Sequence, residues 1–89
     1  MVTLFARHSV SDYQAWRKVY DDFFETRKQA GVTGEGVYQS VDDPNAVTLM
    51  LDFETIEAAR DFPENPKLEE AYRQAGSTGA PTVWFATKT

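Results

Sequence analysis

The chain has 89 residues, 26% of them charged and 42% hydrophobic, and carries a formal net charge of −5. That length limits it to one small domain, residues 1–89, and the negative field repels phosphate backbones and anionic lipid heads, so neither nucleic acid nor a membrane surface is expected as a partner. With no cysteine, disulfides, iron–sulfur clusters and thiol catalysis are excluded, and no stretch approaches the roughly 18 apolar residues of a membrane span.

Met1 is followed by strand-like sequence and not by a basic, apolar leader, which leads us to expect a cytoplasmic protein. Val2, Leu4, Ala6, His8 and Val10 alternate with Thr3, Phe5, Arg7 and Ser9, the period of a strand with one largely apolar face. Ser11 and Gln14 have the spacing of a capping box. Behind them Tyr13, Trp16, Tyr20, Phe23, Phe24 and Arg27 recur every three or four residues, predicting one helix over residues 12–30 that stops at Gly31. Thr33 to Val41 reads as a weaker strand whose Gly34 and Gly36 suggest a bulge or a close approach.

Asp42-Asp43-Pro44-Asn45 is turn chemistry, and Val47, Leu49, Leu51 and Phe53 then alternate with Thr48, Met50 and Asp52 in a third strand apolar on both faces. A helical region opens near Thr55 or Ile56, and Pro63 interrupts it. Asn65-Pro66-Lys67-Leu68-Glu69 restarts it with cap, first-turn proline and acidic residue in order, predicting two short helices. Leu68, Ala71, Tyr72 and Ala75 form the inward stripe of the second, Glu69 and Arg73 stand at pairing distance, and Gly76 ends it. Ser77 to Pro81 reads as a loop and Thr82 to Thr87 as a last strand. The order is βαββαβ: an α+β, ferredoxin-like domain with a four-stranded antiparallel sheet, helices on one face and the other face bare. Burial is modest in so short a chain, so a second subunit covering that face is expected.

This order, with its aromatic first helix, resembles the dimeric α+β barrel superfamily and its antibiotic-biosynthesis-monooxygenase-like members. The resemblance spans nearly the whole chain. Its local carriers are His8-x-Val10-x-Asp12-Tyr13-x-x-Trp16-Arg17, Asp42-Asp43-Pro44-Asn45-x-Val47 and Ala75-Gly76-x-x-Gly79-x-Pro81. They look like a group of small bacterial proteins labelled monooxygenase-like or cyclase-like. The resemblance implies a homodimer through the sheet faces and a pocket between each subunit's sheet and helices. It also implies one of several activities: cofactor-free oxygenation of phenolic polyketides, lactone isomerisation, haem degradation, or none. Haem-degrading members use a histidine of the second helical region, and Thr55 to Ala75 contains no histidine.

His8, the only histidine, is the natural general acid or base, since its reference pKa near 6.5 lets it exchange protons at neutral pH. The plainer reading is a core or strand-end histidine. Arg7 and Arg17 are candidates to steady an anion or oxyanion, against the plainer reading of surface cations. Trp16, Tyr20, Phe24, Met50, Tyr72 and Trp84 could wall a flat pocket for an aromatic ligand, against the plainer reading of core. No metal-ligand spacing, phosphate-binding glycine loop or nucleophile triad is present, so no cofactor and no metal are expected. The expected function is a cofactor-independent monooxygenase, or an isomerase or cyclase, acting on a hydrophobic aromatic or hydroxylated small molecule. The alternative is a non-catalytic small-molecule-binding or accessory dimer.

Overall fold

A computed structural model describes residues 1–74 and 76–89, excepting the side chains at positions 69, 72 and 77–80. The chain begins with β1 (Val2–Val10), whose even-numbered residues from Leu4 to Val10 are buried while the odd-numbered ones face the other way. Asp12 is the N-cap of α1 (Tyr13–Asp22): its Oδ1 accepts the Gln14 N–H at 3.0 Å, so the cap falls one residue after Ser11. The single helix expected to Ala30 is broken at Phe23, and α2 (Phe24–Gln29) follows. Phe23 has φ −85° and ψ 4°, and its N–H is shared between the carbonyls of Val19 and Tyr20. Arg27 Nη1 also donates to the Tyr20 carbonyl, so a side chain takes over an oxygen that a continuous helix would satisfy with backbone.

Gly31, at φ +100°, turns the chain into β2 (Val32–Gln39), and β3 (Ala46–Phe53) returns antiparallel to it. A register shift between Val32 and Gly34 is the bulge that the glycines suggested. Thr55 caps α3 (Ile56–Asp61), a 3₁₀ turn spans Phe62–Glu64, and Asn65 Oδ1 accepts the Lys67 N–H at the start of α4 (Pro66–Gln74). Of the inward stripe predicted for α4, Leu68 packs against the core and Ala71 is half-buried, whereas Ala75 and the Tyr72 side chain lie outside the described residues, as does the Glu69 side chain of the predicted pair with Arg73. Arg73 pairs with Glu70, at 2.6 Å.

The last strand, β4 (Ser77–Thr87), starts five residues before the expected Thr82. Val10 and Ser9 pair with Ser77 and Thr78, Arg7 pairs with Thr82, and residues 79–81 bulge opposite His8. A proline in that stretch costs a ladder hydrogen bond, which an edge strand with a bulge tolerates. The sheet order is β2-β3-β1-β4, all neighbours antiparallel. Helices cover one face, where Leu4, Ala6, Val47, Leu49, Leu51 and Phe53 meet Trp16, Tyr20, Ala59 and Phe62. The other face is open: Phe5, Met50 and Trp84 lie on it, with the rings of Phe5 and Trp84 stacked 5.5 Å apart. Among the described residues no helix is long and apolar enough to cross a membrane.

Candidate functional site

Between the sheet and the helices lies a cavity of about 40 Å³. Its floor is Leu4 and Ala6 of β1, Leu49 and Leu51 of β3 and Val83 of β4, all on the helix-covered side of the strands. Its roof is α1 and α4, through Trp16, Tyr20, Leu68 and Ala71, and Phe62 and Pro63 contribute from the 3₁₀ turn. Val19, Phe23 and Ala71 line it too, and the same three residues line a surface groove between α1 and α4 with Asp22, Lys67 and Glu70. Phe23, at the helix break, is thus one of three residues shared by the cavity and the surface groove.

Among the described residues Arg27 supplies the one charge in this lining, and it is 3% exposed. Its guanidinium lies 3.7 Å from the centroid of the Tyr20 ring, a cation–π contact. Nε and Nη2 donate to Glu35 Oε2 and Oε1, each at 3.3 Å, and the Tyr20 hydroxyl donates to the same Oε1 at 2.9 Å. Glu35, in β2, can reach them because it pairs with Leu51 of β3 and so faces the helices, as Val37 does. Burial pushes the Tyr20 hydroxyl well above its usual pKa; the Arg27 charge pulls the other way, and the bond to Glu35 adds to the rise. Tyr20 is thus a donor at neutral pH and not a base.

His8 is 5% exposed on the helix-covered face of β1, its ring tilted against Trp16 at 5.6 Å. It does not line the cavity: Trp16 stands between, stacked in turn on Tyr20 at 5.1 Å. Burial lowers the His8 pKa below the usual 6.5, so the ring is neutral at pH 7.

The remaining sequence candidates are dispersed. Trp16 and Tyr20 line the cavity with Arg27, while Arg7, Met50 and Trp84 occupy the open face of the sheet. Arg17, on the exposed side of α1, is bonded to Asp21 at 3.1 Å with its guanidinium 5.4 Å from the Tyr20 ring centroid, and Phe24 is 50% exposed. The Tyr72 side chain lies outside the described residues. Arg27 and Glu35 were not singled out from sequence. Their signal was positional, an arginine in the inward register of the first helix and an acid in the inward parity of the second strand. No three His, Asp or Glu side chains are grouped to hold a metal among the described residues.

No family model matches the sequence, and no curated protein matches it. Solved structures do match along the whole chain. A protein from Bordetella bronchiseptica assigned as an antibiotic biosynthesis monooxygenase is 19% identical, with a TM-score of 0.85 over 99% of this chain and 96% of its own. One from Nitrosomonas europaea with the same assignment is 16% identical, with a TM-score of 0.76 over 99% and 98%. SnoaB, a cofactor-independent oxygenase from Streptomyces nogalater, is 17% identical, with a TM-score of 0.75 over 99% and 94%. The chain has the α+β, ferredoxin-like fold that the antibiotic biosynthesis monooxygenases share.

Proposed function

We propose that this chain is a cofactor-independent monooxygenase of a hydrophobic aromatic or hydroxylated small molecule, working as a homodimer. The observation that carries the reading is the apolar cavity between sheet and helices, closed by aromatic rings and furnished with one buried cation. The likeness in fold to a cofactor-independent oxygenase supports it. In this reading dioxygen from solution is the oxidant and the substrate the only reductant. A substrate SH2 gives S=O and water: four electrons leave the substrate, one oxygen atom enters it and the other leaves as water. The protein excludes bulk water, orients the ring and stabilises charge as a proton departs, with His8, one ring removed from the cavity, the candidate to take that proton.

A dry cavity of about 150 Å³ holds benzene, so a cavity of about 40 Å³ must enlarge before a ring enters. Displacing Phe23 joins it to the groove between α1 and α4. The test is oxygen uptake with a panel of hydroxylated aromatics, comparing the wild-type chain with Ala71→Leu, which fills the cavity from a half-buried helix position. Uptake that follows one substrate and falls at least tenfold in the variant supports the reading. Uptake with no substrate, or uptake indifferent to the filled cavity, overturns it.

The second reading is a non-catalytic small-molecule-binding or accessory dimer. It is favoured by the chemistry of the wall, where burial holds the Tyr20 hydroxyl in its protonated form at neutral pH, a donor and not a base. Saturable ligand binding without oxygen uptake, and without conversion of the ligand, decides for it.

A further inference from the structure

We infer that Arg27 is the specificity-determining residue of the cavity, and that it selects ligands with a neutral oxygen acceptor over both hydrocarbons and anions. The inference rests on the reading of that cavity as the ligand site. A guanidinium has five N–H donors. Three of those on Arg27 are engaged, two by Glu35 and one by the Tyr20 carbonyl. One N–H on each terminal nitrogen has no partner among the described residues, in a side chain that is 3% exposed and lines the cavity.

The rest of the lining offers little competition. Among the described residues, leucines, alanines, valines, Pro63 and rings stand around it; the polar atoms those rings carry are the Tyr20 hydroxyl, which already donates to Glu35, and the Trp16 indole N–H, a donor that cannot answer another donor. An apolar ligand without an acceptor leaves two buried donors unanswered. A ligand with one carbonyl or hydroxyl oxygen answers them without disturbing the three bonds that hold the guanidinium. Glu35 then sets the charge preference. Its carboxylate, 32% exposed, balances Arg27 at 3.3 Å, so the site is neutral before the ligand arrives, and a carboxylate ligand would give up its own hydration in the apolar cavity to meet Glu35 across the same guanidinium. Arg27 thus acts as a neutral-acceptor donor and not as an anion trap.

The test uses three molecules of nearly one shape: acetophenone, α-methylstyrene and benzoate. Binding to the whole chain is followed by NMR through the Arg27 side-chain N–H and the Trp16 indole N–H. Acetophenone should shift both signals saturably and bind at least tenfold more tightly than either analogue. Arg27→Lys, which keeps the charge and loses the fork, should reduce the preference over α-methylstyrene to less than threefold. The wild-type comparison decides even where the variant fails to fold. Equal or tighter binding of α-methylstyrene or benzoate, or no shift with any of the three, overturns the inference. Acetophenone selectivity without oxygen uptake on any phenol would leave this inference standing and remove the oxygenase. Uptake with no acceptor preference would do the reverse.

Discussion

His8 is buried against Trp16, and its cost can be read as a pH dependence. Burial lowers its pKa in the folded chain, whereas the unfolded chain takes up a proton near pH 6.5. Above that pH both states are neutral and the ring contributes no slope. As the pH falls below it, the unfolded state binds more protons, so stability falls by up to about 1.4 kcal/mol per pH unit until the folded ring also protonates. The urea midpoint should therefore drop as the pH falls below 6.5, and His8→Gln should flatten that fall. An identical slope in the two proteins would show that His8 is not its source. The strand alternation already placed this histidine inward, so its burial was legible in sequence. That it stands one ring away from the cavity was not, because the separation depends on how Trp16 packs. The Arg27–Glu35 pair was hidden for a different reason: eight positions apart in sequence, they meet only because the helix breaks and the strand returns.

At the scale of elements, the four strands and the two-part second helical region followed from alternation and caps, and the registers of β1 and β3 agree with the predicted parity. The break at Phe23 was not visible, because no glycine or proline marks it and the apolar period continues through it. At the break the Tyr20 carbonyl is shared between the Phe23 N–H and the Arg27 side chain. Pro81 and its neighbours suggested a loop, but pairing across an edge bulge extends β4 back to Ser77. Gly31 closes this helical region at φ +100°, where a Cβ would meet only Ala58 Cβ at 3.8 Å and Phe53 Cδ1 at 4.0 Å. Space is available, so the cost of a side chain there is conformational. Gly31→Ala should lose about 1 kcal/mol in urea denaturation and Gly31→Asn distinctly less, since asparagine tolerates the left-handed region. Equal losses for the two would point to crowding instead.

Across the whole molecule, the helices cover one face of the sheet and leave the other with an apolar centre of Phe5, Met50 and Trp84. Tyr38, 55% exposed, extends it toward β2. That one face would be bare was legible from element order alone; which side chains occupy it required the register. A homodimer through this face follows as a proposal, because a chain of 89 residues has little other apolar surface to gain from. Sedimentation at micromolar concentration should give twice 10.1 kDa for the wild-type chain, and Trp84→Glu should return it to 10.1 kDa with its helices intact. A wild-type monomer, or an undisturbed dimer in the variant, would count against assembly through this face.

The division of the two tryptophans between the faces gives the molecule separate optical reporters. Trp16, 2% exposed beside the cavity, senses folding and ligand, while Trp84, 42% exposed on the open sheet, senses what covers that sheet. In Trp84→Phe the remaining emission should shift red only when the core melts. In Trp16→Phe it should shift with dilution, before any melting, so two fluorescence curves separate subunit dissociation from unfolding.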